Sequence, residues 1–348
     1  MKKNLIIKGG MLLLMAGAVH SCIKVPADVD FLSSQAAYTK TEYEPVLGRT
    51  TLFPEELGSV LFNADNSTQP LTFRLLNFKD SRGDSAEIFY KTFPVQVWKS
   101  AYTGDEKTRE ELEEKRTVEH HRLFEVREHS GHFVMWAPVN PAYLNAVRQQ
   151  PDKGYTFDVE VSNSGGTKII RDMKLKPFRS RPYEPAVTDP VTGNTFGYTR
   201  PTTLYGMMDV HTQATIFESD VAVVFYKEPE STGRSLTFEF RDTAYRAIDP
   251  KLFASTKWEE LVHHYGEAKF ESDRVVFDVS YPIPLTRLPT RYTNINGSRA
   301  KVQFSYDRIV NGLSRVQALM GLEFAIYEPG DWKVIFWFKD ANPDFKDN

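Results

Sequence analysis

"YTFDVEVSNSGGTKIIRDMKLKPF", residues 155–178, reads as one strand, a tight turn and a second strand. Tyr155, Phe157, Val159 and Val161 alternate with Thr156, Asp158, Glu160 and Ser162, the two-residue period of a strand with one face buried. "SNSGG" at 162–166 breaks the period and supplies residues that tolerate positive φ, as a hairpin turn requires. No helical period fits the segment, so this part of the chain is β.

Similar signals recur on both sides. Before it lie "LTFRLLNF" (71–78), "FPVQVWK" (93–99), "RLFEVRE" (122–128) and "HFVMWAP" (132–138). After it come "ATIFESDVAVVFYKE" (214–228), "SLTFEFRD" (235–242), "RVVFDVSYPI" (274–283), "AKVQFSYDR" (300–308), "LMGLEFAIYE" (319–328) and "DWKVIFWFKD" (331–340). All are rich in β-branched and aromatic residues. Helical content is small. "DEKTREELEEKR" (105–116) reads as a short surface helix whose single leucine packs little, and "PAYLNAVRQQ" (141–150) as a turn or two opened by Pro141. Thr256 and Glu259 form a capping-box pair that predicts a helix closed by Gly266. Residues 183–202, "YEPAVTDPVTGNTFGYTRPT", hold three prolines and two glycines and read as a linker. The expected fold is therefore all-β: two tandem β-sandwich, immunoglobulin-like domains with a few short helices, over 46–182 and 203–348.

The N-terminus carries a different signal. Lys2, Lys3 and Lys8 precede an apolar run from Met11 to Val19, and Val19-His20-Ser21 leads into Cys22, the only cysteine. This is a secretory signal with cysteine at its end, so residues 1–21 read as a lipoprotein signal peptide and Cys22 as the lipidation site. A spanning helix needs about 20 apolar residues, and Lys8-Gly9-Gly10 breaks the run short. Residues 22–45 then form a lipidated tether. Removing 1–21 takes away three lysines and no acid, so the net charge of −3 becomes −6. That balance offers no footprint for nucleic acid. The expected location is the outer membrane, held by lipid on either its periplasmic or its extracellular face.

Catalytic frames are missing. No G-x-S-x-G, P-loop or zinc-protease spacing occurs, and Cys22 is consumed by lipid. His120, His121, His129 and His132 cluster within "EHH" and "HSGH" without metal-ligand spacing and read as exposed polar positions. No metal and no cofactor is expected, and an enzyme ranks behind a binding protein.

Aromatics remain: 24 Phe, 16 Tyr and 5 Trp. Exposed Trp or Tyr can stack on the C–H face of a sugar, whereas most aromatics in β proteins fill cores. Trp337, inside "VIFWF", is buried on at least one side. Trp258, beside Glu259 on the predicted helix, is the first candidate platform, yet with Leu261 and Val262 it also completes the i, i+3, i+4 stripe of a core face. If it is buried, Tyr198 and Tyr205 inherit the role.

"NADNSTQPLTF" (63–73), "LFEVREHSGHFVMWA" (123–137), "YTFDVEVSNSGG" (155–166), and "RPYEP" with "DPVTG" (181–193) resemble an uncharacterised lipoprotein family of Bacteroidota. Its members are encoded beside outer-membrane glycan-uptake pairs of the starch-utilisation type. The resemblance implies a location and a neighbourhood but carries no site residues. The sequence thus predicts a non-catalytic accessory protein that captures glycan or another nutrient beside a TonB-dependent transporter. The alternative is a pilin-like structural or adhesive subunit, for which cleavage after Arg49 would be needed.

Overall fold

The structure, a computed structural model, describes residues 30–55 and 58–347. Residues 1–21, read above as a signal peptide, and Cys22 lie outside the described residues. Among them, no helix is long and apolar enough to cross a membrane.

The first half of the chain holds β1 (Ala37–Tyr38), β2 (Glu42–Tyr43), β3 (Thr51–Phe53), β4 (Phe62–Asn63), β5 (Thr72–Asp80) and β6 (Thr92–Trp98). A helix, α1 (Arg109–Glu114), is followed by β7 (Arg116–Arg122), β8 (Phe124–Val126), β9 (Phe133–Met135), β10 (Tyr155–Asn163) and β11 (Gly166–Leu175). The hairpin β10–β11 is the centre of a sheet ordered β2-β11-β10-β5. A second sheet, β3-β9-β8, faces it, and Phe157 of β10 meets Phe124 and Phe133 at ring distances of 5.4 and 5.7 Å. Between the sheets lies an aromatic core that includes Tyr43, Phe78 and Phe89.

The second half holds β12 (Tyr183–Glu184), β13 (Thr203–Tyr205), β14 (Val221–Lys227), β15 (Ser235–Arg241), β16 (Ala247–Ile248), β17 (Lys269–Phe270) and β18 (Arg274–Asp278). It ends with β19 (Ala300–Val310), β20 (Ser314–Ile326) and β21 (Trp332–Phe338). One sheet runs β14-β21-β15-β18-β17, with β16 on β15; the other joins β12, β13 and β19 to β20. Phe238 and Phe240 of β15 and Phe336 of β21 converge on Phe304 of β19 at 5.2, 4.9 and 5.2 Å. These contacts cross from one sheet to the other, so the all-β sandwich expected from strand patterning is what the chain forms, with a second core of its own.

Three segments differ from expectation. Residues 30–45, read as the end of a tether, are built into the first core: Tyr38 is 7% exposed, Tyr43 is fully buried, and β2 pairs in parallel with β11. Two aromatic anchors in a polar stretch suffice to dock it. Second, α1 does pack. Leu112 is fully buried beside Tyr102 and Leu285. Arg109 reaches the Val279 carbonyl and the Asp278 carboxylate, and Arg116 the Tyr281 carbonyl. The charges around the lone leucine thus tie the two halves together. His263 completes this contact by accepting from Tyr102 at Nδ1 (2.7 Å) and donating to the Glu106 carbonyl from Nε2 (2.6 Å). Burial lowers its pKa and favours the neutral ring that this pattern needs. Burial alone would raise the Glu106 carboxyl, but the Lys115 ammonium and backbone N–H groups bring it down to about 2.

Third, residues 183–202 are no free linker. Tyr183 stacks on Phe225 at 4.4 Å, and Glu184 meets Arg49, Arg181 and Arg299. This stretch is the first copy of a module repeated about twenty residues later. Each copy starts with Arg-Pro (181–182, 200–201), lays a short strand against β20, and closes a hairpin. In the hairpins Asp189 Oδ1 accepts from the Val191 and Thr192 amides and the Thr192 hydroxyl, and Asp209 Oδ1 does the same for His211 and Thr212. Gly193 at φ +77° and Gln213 at φ +55° turn the chain at equivalent places. The prolines and glycines that suggested a linker are the turn residues of this repeat.

Candidate functional site

Trp337 lies on the middle strand of three. In register it stands between Ala222 of β14 and Arg241 of β15. Side chains alternate along β21: Trp332, Val334, Phe336 and Phe338 enter the core, whereas Lys333 and Trp337 face outward and are half-buried. Two tyrosines flank the outward indole. Tyr198 precedes Thr199, which bridges Val223 on β14, and its ring meets Trp337 edge-on at 6.1 Å. Tyr245, in the turn between β15 and β16, meets the indole from the other side of the strand row at 5.5 Å, also edge-on. Tyr198 is 52% and Tyr245 49% exposed. The result is an aromatic trough, with the indole as floor and two phenol rings as walls.

The Tyr245 wall is held under strain. Its φ is +62°, a left-handed conformation uncommon for a bulky side chain. Asp242 enforces it: Oδ1 accepts from the Ala244 and Arg246 amides, Oδ2 from Arg246 Nε, and its carbonyl from the Tyr245 amide. Burial would raise the Asp242 carboxyl, but these bonds lower it, so the turn keeps its anion. Asn342 exchanges bonds with Thr243 and donates its amide to Asp209, joining the turn to the second repeated hairpin. Arg241 lies over the Tyr245 ring at 5.7 Å and pairs with Glu239, which is 4% exposed. Strained backbone concentrates at binding sites, where the surrounding structure fixes what the residue alone would avoid.

Of the sequence candidates, only Tyr198 belongs to the trough. Tyr205 is 48% exposed on β13, in the other sheet, and no ring contact joins it to Tyr198. Trp258 is half-buried, its ring against Phe304 at 5.6 Å and Phe270 at 5.2 Å, so it serves the core margin rather than an open platform. The predicted helix around it is a single 3-10 turn, Trp258–Glu260. Thr256 does not cap it; its hydroxyl exchanges hydrogen bonds with the Ser305 backbone on β19. Leu261 and Val262 are drawn into the core and His264 bridges Val279, which ends helical propagation. Of the histidines of "EHH", His120 is exposed as expected, whereas His121 stacks on Trp136 at 4.6 Å and bonds Glu119 and Glu125.

A family model described as a domain of unknown function, DUF5007, matches residues 62–347. The chain belongs to the DUF5007 family. No curated protein and no solved structure gives a significant match. The DUF5007 match takes in most of the first core, though not Tyr38, Tyr43, Leu47, Phe53 or Leu61, the whole of the second, both copies of the repeated module and all three trough residues.

Proposed function

We propose that this DUF5007 protein is a non-catalytic, glycan-binding lipoprotein, anchored through acylated Cys22 at the outer membrane and serving a TonB-dependent uptake system. The observation that carries the reading is the trough, in which Trp337 lies between the half-exposed Tyr198 and Tyr245 on the outer face of a rigid sheet. Flat apolar rings with polar rims suit a pyranose, whose C–H face stacks while its hydroxyls reach neighbouring polar groups. The signal before Cys22 and the resemblance to Bacteroidota lipoproteins near glycan-uptake pairs support the location and the partner. A pilin-like role draws less support, because Arg49, the residue at which cleavage would be needed, is engaged by Glu184 at 2.8 Å and Tyr327 at 3.0 Å.

Calorimetric titration of the mature protein with a broad oligosaccharide panel tests the binding. At least one glycan is expected to bind, and Tyr198→Ala to weaken it about fivefold to tenfold by removing one stacking wall. No binding across the panel, or binding that ignores Tyr198, would refute the reading. For the anchor, Cys22→Ala is expected to leave an unprocessed form that carries no acyl chains. Unchanged mass and detergent partition of that variant would exclude lipidation at Cys22.

A further inference from the structure

We infer that the trough selects an anionic sugar, a uronic acid within a glycan, over its neutral counterpart; this rests on the glycan-binding reading above. Two N–H donors on neighbouring strands, Trp337 Nε1 and Arg241 Nε, are closed off from solvent and have no acceptor. They belong to residues in direct register on β21 and β15 and face outward together. Buried donors without partners are uncommon and call for a physical explanation.

The carboxylates near them are drawn to other groups. Glu239 Oε2 is held by Arg241 while Oε1 meets Arg274 at 3.9 Å, Asp242 accepts three bonds from its own turn and Arg246, and Asp273 binds Arg274. What the trough leaves unused is therefore donor capacity beside a guanidinium. A neutral sugar's hydroxyls can accept from these donors but bring no charge to the guanidinium. A sugar carboxylate only accepts, and charge-assisted bonds from Arg and indole N–H suit it. For the ligand to reach these atoms, one half-exposed tyrosine ring must turn aside, a rotamer change ordinary at binding surfaces.

The test titrates the full mature protein with oligosaccharides of galacturonate and of glucuronate, each beside its methyl ester, which keeps the ring and loses the charge. An acidic form is expected to bind at least tenfold tighter than its ester and to weaken with added salt. Trp337→Phe, which keeps a ring and deletes the donor, is expected to cost the acidic ligand about fivefold while sparing the ester. Arg241→Gln should erase the preference; because it also unpairs a buried carboxylate, its thermal unfolding is measured in parallel and the Trp337→Phe result stands on its own. Equal affinity for acid and ester would overturn the inference yet leave glycan binding intact. Failure of both to bind while a neutral panel glycan does would also overturn it, and failure of every glycan would sink both readings.

Discussion

Asp344→Ala is expected to destabilise the protein by about 3–5 kcal/mol, the cost of unpairing one partner of a buried ion pair. Asp344 and Arg308 meet at 2.7 Å with side chains only 6% and 2% exposed. Arg308 belongs to β19, whereas Asp344 lies beyond the last strand, so the pair pins the C-terminal segment across the second core. Gln213 of the second repeated hairpin donates to the same carboxylate, and Phe345 beside it packs on Phe253 and Tyr306. Without the carboxylate, the guanidinium would stay buried with its Nε already lacking an acceptor. Burial pushes the Asp344 carboxyl up, but Gln213, the Lys346 amide and Arg308 outweigh it and hold the pKa below the ordinary value. The unfolded carboxyl titrates near ~3.9. The stability gained from the depressed pKa is thus fully present above that pH and is lost as pH falls through the folded value. Chemical denaturation at pH 7 should show the loss, and the variant should also lack this acid-dependent component. Replacing both residues by Leu and Met should restore most of the stability, since the expense lies in the orphaned charge. A shift within the error of a surface substitution would mean that the tail is not pinned as described.

The strands were legible because burial on one face writes a two-residue period. "YTFDVEVSN" became β10, and the turn fell where "SNSGG" allowed it. The missed features share another physics. The Thr256–Glu259 spacing encodes a cap only if a helix propagates behind it, and here Leu261 and Val262 gain more by entering the core. Leu112 looked insufficient because amphipathicity was weighed without a partner surface; one leucine among arginines docks when a neighbour offers carbonyls and a carboxylate. The repeat in 181–217 was visible as Arg-Pro followed by Asp-x-x-Thr (189–192 and 209–212), with one residue more between them in the second copy, but prolines and glycines were read as a linker before periodicity was sought. Trp337 was hidden for a different reason. "VIFWF" is apolar throughout, so alternation is erased, and only register with Ala222 and Arg241 shows which ring faces out.

Tyr245 left no trace in the sequence, since nothing marks a tyrosine for positive φ, and it supports the most discriminating comparison. Tyr245→Gly and Tyr245→Ala both remove a trough wall, and both should weaken glycan binding tenfold or more, with the stacking ring and the seat for Arg241 lost together. Their stabilities should diverge. Alanine keeps the left-handed strain, on the order of 1–2 kcal/mol for a residue with a Cβ, and gives up the ring contacts. Glycine also gives up the ring but sheds the strain, against a backbone entropy cost of about 0.5–1 kcal/mol. Tyr245→Gly should therefore be more stable than Tyr245→Ala by about 1 kcal/mol and close to the parent, while binding no better. Denaturation midpoints and calorimetry on the three proteins read both quantities. Equal stability of the two variants would show that the turn relaxes without strain, and binding retained by either would remove Tyr245 from the trough. If strain relief and loss of binding appear together, the chain tolerates an unfavourable tyrosine because the ring it places beside Trp337 is needed for binding.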